Sequence, residues 1–439
     1  MPSRSGRSIG RSTDRPATRG GVAVYLFPAV VGGGLGDIEE VLAAGRYLAR
    51  AGFPLYLYRA KGRPLPPHVA GPWEWPPVER CRTLRPRAGS ALTVSPSWGV
   101  SSAPSRPARF GRGGPWEVEC REVEAAYGSE RTLHISLEEF ARTLPSRAET
   151  RERFREGGVP ARAIGPRLRV AEAAKEVEAF RRAYREFRGL DRPNVLHLFA
   201  TFRPDRAFAR EFPEAVQVGP LGSGHPGRVA AQGTSREWVW YASPASAERI
   251  APQVVAGLAG AKPPVRLFVR SPRAWPGIAG ETGVQVVTSP IPPNTWRPRF
   301  RRAELRIVTG SRTLIEAMEV GGPFLYFNGV LGRGSGRRRH RPEKFRAWVA
   351  LAKDAGASPA LLRDLSDFAR GRRVTEVVRR AAASSDGWAR FPPDLGPVGF
   401  PPERRDAGTV VTAVARELAR PASRAAEVVA RWRASHPYP

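Results

Sequence analysis

A short apolar run, a glycine-rich loop and an amphipathic segment follow one another near the start of this chain, and together they constrain its fold most strongly. Residues 22–27 (Val-Ala-Val-Tyr-Leu-Phe) have the length and composition of a buried strand, and residues 32–37 (Gly-Gly-Gly-Leu-Gly-Asp) form the loop. Apolar side chains recur at helical spacing over residues 38–51, and residues 53–58 are typical of a second strand. This order predicts one βαβ unit of a parallel sheet.

The alternation of strands and helices recurs in the rest of the chain, except over residues 60–120, which are rich in Pro, Gly and Arg and stay unassigned. The patterns predict strands at 194–199, 215–218, 238–242, 265–269, 284–287, 305–308 and 324–327. They predict helices at 137–144, 170–188, 247–259, 314–320, 342–355, 359–369, 374–383 and 407–433, the last interrupted near Pro421.

These patterns predict an α/β protein with two Rossmann-like domains. The length of 439 residues suits two domains. A stretch rich in glycine and proline supplies the linker. The expected divisions are a disordered basic tail at 1–20, an N-terminal domain at 21–218, the linker at 219–235, a C-terminal domain at 236–403 and a C-terminal helix at 404–439.

The chain is strongly basic, with a formal net charge of +30, and almost all of its positive charge is arginine. Such a field attracts polyanions, namely nucleic acids, acidic lipid headgroups or nucleotide phosphates, although a GC-rich genome accounts for an arginine bias equally well. Two cysteines, Cys81 and Cys120, are too few for a disulfide scaffold, and no run of about 18 apolar residues is present. We therefore expect a cytoplasmic protein without a membrane-spanning helix.

The segment with the most chemical content is 308–323, in which a predicted strand enters a small, hydroxyl-rich loop that opens a helix. The free N–H groups at the amino end of a helix bind anions such as a diphosphate, and the hydroxyls of Ser311 and Thr313 can add donors. The carboxylate of Glu316 can accept hydrogen bonds from both hydroxyls of a ribose. The alternative is an ordinary capping box, with Thr313 as N-cap and Glu316 three residues later.

This segment resembles the donor-nucleotide motif of GT-B glycosyltransferases, in particular the family that adds N-acetylglucosamine to the lipid-linked peptidoglycan precursor. The resemblance implies a GT-B-like fold, in which the two parallel sheets face each other across a cleft. It also implies a nucleotide-sugar donor with UDP-sugars favoured, an inverting reaction, and no cofactor or essential metal. It implies that Glu316 holds the ribose and that Gly310, Ser311, Arg312 and Thr313 contact the phosphates. The matching positions are Gly310, Thr313, Glu316, Gly321 and Pro323.

The glycine loop before the first helix is the second candidate. Gly33, Gly34 and Gly36 let the backbone approach a phosphate or a sugar closely. In the family that the chain resembles, a histidine ends this loop, and Asp37 stands at that place here. Asp37 is our candidate catalytic base, which would deprotonate the acceptor hydroxyl. Binding the acceptor or capping the helix are the alternatives.

Three further segments join the candidate substrate site, because each follows a predicted strand. Glu343 and Lys344 resemble the acidic residue and glutamine that bind sugar hydroxyls in many GT-B enzymes, and five arginines precede them. A mobile, solvated basic loop is the alternative there. Ser243 follows the strand at 238–242, and the proline-rich segment 288–293 could pack on a nucleobase.

Other functions remain open at this stage. A nucleotide-sugar epimerase shares the expected fold, a basic nucleic-acid-binding protein would explain the charge, and a degenerate transferase would bind nucleotide without turnover. Asp-x-Asp, Walker A and metal-ligand spacings are absent, and His197 is expected to be a core residue. The acceptor is unknown and could be lipid-linked, so an anionic membrane surface joins the expected partners, with no specific nucleic acid among them.

Overall fold

A computed structural model of the protein describes most of the two predicted halves. The described residues are 21–29, 36–71, 73–84, 86, 89–96, 116–139, 178, 182, 184–185, 188–223, 236–242, 244–259, 261–262, 264–270, 284–287, 293–327, 342–383 and 399–435.

The first sheet has seven parallel strands in the order β3-β2-β1-β4-β5-β6-β7. The helix α1 (Gly36–Arg50) connects β1 to β2, and α2 (Glu117–Tyr127) connects β4 to β5. A short helix, α3 (Arg206–Glu211), connects β6 to β7. The strands are β1 (Val22–Leu26), β2 (Leu55–Tyr58), β3 (Glu79–Cys81), β4 (Ser90–Ser95), β5 (Thr132–Glu139), β6 (Val195–Ala200) and β7 (Val216–Val218).

The second sheet has five parallel strands in the order β10-β9-β8-β11-β12. These strands are β8 (Glu237–Tyr241), β9 (Arg266–Arg270), β10 (Val284–Val287), β11 (Leu305–Val308) and β12 (Phe324–Tyr326). The helices with them are α4 (Pro244–Leu258), α5 (Pro293–Arg302), α6 (Ser311–Val320), α7 (Pro342–Asp354), α8 (Pro359–Ala369) and α9 (Val374–Ala383).

Each sheet runs outward in both directions from its first strand, which is the doubly wound Rossmann order. The order reverses between β1 and β4 in the first sheet and between β8 and β11 in the second. The prediction of an α/β fold with two Rossmann-like parallel sheets is therefore confirmed.

The two last helices pack with the first sheet, although they follow the second one in the chain. Buried residues of α10 (Ala407–Leu418) and α11 (Ala425–Ala434) share a hydrophobic core with β1 and β6, whereas the second sheet has a core of its own. We call the first sheet with α1–α3, α10 and α11 the first unit, and the second sheet with α4–α9 the second unit. The break in the last predicted helix near Pro421 is confirmed.

Several sequence predictions need correction. The helix predicted at 137–144 is wrong where the structure describes it, because Leu137 lies in β5 and the register of that strand pairs it with Leu198. Pairing with β6 outweighs a local helical pattern there. The elements β3, β4, α2, α3 and α5 were not predicted. His197 is fully buried, as expected, and Cys81 and Cys120 are both thiols.

Candidate functional site

The candidate site lies at the carboxyl ends of the strands beside the two points where the strand order reverses. In open α/β sheets, ligands bind in the crevice outside the strands at such a point. At the end of β1, the N–H of Phe27 donates to the carbonyl oxygen of Val94, just past the register of β1 with β4. At the end of β11, the hydroxyl of Thr309 donates to the carbonyl oxygen of Tyr241, over 2.8 Å. The helices α1 and α6 begin beyond these two strand ends.

The helix α6 begins at Ser311, three residues earlier than predicted, and Gly310 is its N-cap. The alternative reading of Thr313 as N-cap is therefore wrong. The hydroxyl of Thr313, which lies in the first turn, is within 3.1 Å of the carbonyl oxygen and 3.2 Å of the nitrogen of Gly310. This hydroxyl tightens the entry to the helix. The backbone of this turn is the part of the motif that offers N–H groups to an anion.

The amino ends of α1 and α6 meet. A β-carbon built on Gly36, the first residue of α1, would lie 3.6 Å from Cβ of Arg312 in the first turn of α6. Each amino end carries the positive end of a helix dipole, so their approach concentrates positive potential at one place. The guanidinium of Arg312 is buried and donates to the carbonyl oxygen of Leu221 over 2.6 Å.

Glu316 lies one turn further along α6, and 16% of its side chain is exposed. Its Oε1 is 3.7 Å from Nε of Arg312. Burial raises the pKa of Glu316, and the charges of Glu39 and Glu319 raise it further, against the opposite influence of the neighbouring arginines. This carboxyl group is therefore less readily ionised than a glutamate in water.

Asp37, in the first turn of α1, is half-buried near a buried arginine. Nη2 of Arg188 lies 2.7 Å from Oε1 of Glu138, and the hydroxyl of Tyr184 donates to Oε2 of the same carboxylate over 2.6 Å. Burial lowers the pKa of Arg188, but the charges of Glu138 and Asp37, among others, more than compensate and raise it. Arg188 is therefore a fixed positive charge within the electrostatic reach of Asp37.

The remaining predicted site residues lie wholly or partly outside the described part of the chain. Gly33, Gly34 and Ser243 are not described, and neither are the five arginines before Glu343. For Ser311, Glu343 and Lys344 the backbone is helical, and their side chains are not described. Residues 288–292 are also outside, while Pro293 begins α5.

A cluster of charged residues between the units was missed by the sequence reasoning. Arg297 of α5 contacts Glu39 of α1, and Arg46 of α1 contacts the same glutamate. Glu39 and Arg46 are seven residues apart, so they share a face of α1, and this spacing was an available signal. No local pattern could link Arg297 to Glu39, because 258 positions separate them.

Two further properties bear on what this protein can bind. Among the described residues, no group of three or more His, Cys, Asp and Glu is arranged to hold a metal ion. Of the helices in the described ranges, none has both the length and the apolar composition needed to cross a bilayer.

Comparisons with known proteins give distant likenesses only. No protein-family model and no curated protein matches the chain. Among solved structures, the glycotransferase of kitacinnamycin is 15% identical, with a TM-score of 0.38 over 84% of this chain and 96% of that one. UGT2 of Phytolacca americana, complexed with UDP-2fluoro-glucose and pterostilbene, is 11% identical, with a TM-score of 0.39 over 95% and 99%. The glycosyltransferase SnogD from Streptomyces nogalater is 15% identical, with a TM-score of 0.36 over 90% and 100%. At TM-scores below 0.5 these likenesses carry no argument about function.

Proposed function

We propose that this protein is a glycosyltransferase, which moves a sugar from a nucleoside-diphosphate sugar to an acceptor hydroxyl. The observation that carries the proposal is the meeting of Gly36 and Arg312, which brings two helix amino ends together beside the reversal points of two Rossmann-like sheets. Two positive helix ends at one place favour a ligand with two or more negative charges, as a diphosphate has. UDP-sugars are the favoured donors.

In this proposal the second unit holds the donor. The N–H groups of Ser311, Arg312 and Thr313, together with Gly310, bind the diphosphate, and Glu316 accepts from the ribose hydroxyls. As the acceptor oxygen bonds to the anomeric carbon, the bond from that carbon to the diphosphate breaks, and the anomeric centre inverts. The amino end of α6 and the nearby guanidinium of Arg312 stabilise the negative charge that develops on the leaving diphosphate, so the step needs no essential metal.

The first unit holds the acceptor, and Asp37 takes the proton that the acceptor hydroxyl loses. Support for this role comes from the position of Asp37 in the first turn of α1, one residue after Gly36. The buried guanidinium of Arg188 lies within the electrostatic reach of Asp37. An ionised aspartate is the form that can act as a general base.

The donor site is tested by thermal unfolding with UDP, UDP-glucose, UDP-N-acetylglucosamine, GDP and GDP-mannose. A ligand at about 100 times its Kd stabilises the native state by about 2.7 kcal/mol, so a real donor site raises the Tm with the matching nucleotide. We expect Glu316→Ala to abolish the rise. Glu376→Ala, which removes an exposed carboxylate from α9, is the control and should keep it. A Tm that no nucleotide raises, or a rise that survives in Glu316→Ala, contradicts the assignment.

Transfer is tested by nucleotide release. A transferase releases free nucleotide faster when an acceptor is supplied, whereas an epimerase changes the sugar and releases none. We expect Asp37→Asn to retain the nucleotide-dependent rise in Tm and to lose release. If Asp37→Asn releases nucleotide at the rate of the unaltered protein, Asp37 is not the base.

We also propose that the basic protein docks on an anionic membrane surface, where a lipid-linked acceptor would be met. The formal net charge of +30 supports this, because basic surfaces are attracted to acidic headgroups. Flotation with vesicles of phosphatidylcholine alone and with added phosphatidylglycerol tests it. Equal recovery on both kinds of vesicle contradicts the docking.

A further inference from the structure

The two units are joined by a set of ionic contacts at the amino end of α1, in which Arg297 and Glu39 are largely buried and Glu74 is exposed. Nη2 of Arg297, in the second unit, lies 2.8 Å from Oε1 of Glu39 in the first unit, and its Nη1 contacts the carboxylate of Glu74. The side chains of Arg297 and Glu39 are 15% and 10% exposed. One planar guanidinium thus bridges two carboxylates of the other unit, a geometry that a lysine ammonium cannot reproduce.

The same glutamate is connected to the segment where the chain leaves the first unit. Arg46 contacts Glu39, and its Nε donates to the carbonyl oxygen of Ser223 over 2.7 Å. The N–H of Ser223 donates to Oε1 of Glu319 in α6, over 2.6 Å. The segment from Leu221 to Ser223 is therefore held from both units, and Glu39 is the point at which Arg297 joins this arrangement.

Glu39 is three residues after Gly36 and two after Asp37, in the first turn of α1. A force that moves Glu39 consequently moves the amino end of α1 relative to α6. The Glu39–Arg297 contact lies next to the Gly36–Arg312 contact, and its polar atoms are largely shielded from water. A shielded ion pair of this kind resists separation, because each charge would lose its partner before water could solvate it.

We propose that Arg297 is a positioning residue, which sets the distance between the first turn of α1 and the first turn of α6. In the proposed transferase it keeps Asp37 at reacting distance from the donor held by α6, so its catalytic meaning rests on the proposed function. Arg297 acts through Glu39 and does not contact the substrate. A misplacement of about 1 Å between reacting groups costs about 100-fold in rate.

The approach of Gly36 to Arg312 can be measured without any nucleotide. Cβ atoms about 3.5–4.5 Å apart suit a disulfide. In a Cys81→Ala, Cys120→Ala background, the pair Gly36→Cys and Arg312→Cys should therefore cross-link on mild oxidation. We expect Arg297→Ala in this background to slow cross-linking at least about tenfold, as the apposed arrangement falls to about a tenth of the population. Arg302→Ala is the matched control, because Arg302 is exposed on the same helix and its side chain donates to the carbonyl oxygen of Pro298 of that helix.

The outcomes separate this inference from the proposed function. Unchanged cross-linking in Arg297→Ala overturns the inference, and so does a cysteine pair that fails to cross-link even with Arg297 present. Slower cross-linking in a protein that no nucleotide stabilises supports the positioning role of Arg297 and contradicts the proposed transferase activity. Glu39→Gln serves as a second variant if Arg297→Ala fails to fold, and it should slow cross-linking in the same direction.

If transfer is observed, the kinetic constants give an independent reading. We expect Arg297→Ala to lower kcat about 100-fold while keeping part of the nucleotide-dependent rise in Tm, since the groups that bind the donor directly lie on α6 and only the electrostatic contribution of α1 is weakened. Arg297→Lys should recover part of kcat, because it restores the charge but not the bridge. A loss confined to KM for the donor would contradict a positioning role.

Discussion

Glu316 and Arg312 lie one turn apart on α6, with Oε1 of the glutamate 3.7 Å from Nε of the arginine. The guanidinium of Arg312 donates to the carbonyl oxygen of Leu221, so the pair lies beside the segment that connects the units. Both side chains are mostly buried. A carboxyl group kept in such a place costs stability, which is typical of a group retained for binding.

The first prediction concerns the stability that the protein loses by burying the carboxyl group of Glu316. Burial raises the pKa of Glu316, so the native state holds its proton to a higher pH than the unfolded chain does. The free energy of unfolding should therefore fall as the pH rises from the pKa of the unfolded chain through the folded pKa. Below the pKa of the unfolded chain the carboxyl group is protonated in both states and imposes no cost. We expect the stability of Glu316→Gln relative to the unaltered protein to increase as the pH rises from 4 to 8 in urea unfolding. A difference that does not change with pH contradicts the prediction.

The second prediction concerns the loss of stability at acidic pH. Burial lowers the pKa of His134 and of His197, so both are neutral in the native state. Below about pH 6.5 the unfolded chain binds more protons, and stability is lost as the pH falls, by up to about 1.4 kcal/mol per pH unit for each histidine. His197→Gln should reduce this slope in urea unfolding from pH 7.5 to 5. His68→Gln, at an exposed position, should leave the slope unchanged.

The third prediction concerns Arg306, which is fully buried in β11 and bonds three backbone carbonyls at the ends of α5 and α6. Burial lowers its pKa to about 10, so it stays charged at neutral pH. Arg306→Met leaves these carbonyls without their donor, and we expect a loss of about 3 kcal/mol or more in the free energy of unfolding. The control Arg302→Ala should stay within about 0.5 kcal/mol. A similarly small change for Arg306→Met would count against this capping role.

The fourth prediction concerns Gly222, in the segment clamped between the units. A β-carbon there would lie 2.3 Å from Oε1 of Glu319 and 2.7 Å from the hydroxyl of Tyr47. Both atoms end flexible side chains and can move aside, but the Glu319 carboxylate would then lose its hydrogen bond from the N–H of Ser223. Gly222→Ala should therefore lower the free energy of unfolding by about 1.5–3 kcal/mol, as the loss of a hydrogen bond to a charged group does. At Gly310 the nearest atom would be Oγ1 of Thr313, at an ordinary 3.5 Å, so Gly310→Ala should cost less than about 1 kcal/mol. Equal costs at the two glycines would contradict the tight packing of the clamped segment.

Much of the secondary structure could be predicted because it follows from local patterns. Apolar runs such as residues 305–308 and capping signals such as Ser358 before α8 depend only on nearby residues. The segment at 132–139 could not be predicted correctly, because its conformation depends on pairing with β4 and β6. The start of α6 was placed late, since the hydroxyl of Thr313 bonds backward to Gly310 inside the helix.

The sequence by itself determined the α/β class and located the strand–loop–helix segment around Gly310 and Glu316, because helical and strand periodicity are encoded over a few neighbouring residues. Only the tertiary structure decided that Gly36 lies against Arg312, that Arg297 bridges Glu39 and Glu74, and that the last two helices return to the first sheet. These contacts join residues far apart in the chain, and their energies depend on burial and distance, which exist only once both sheets have formed.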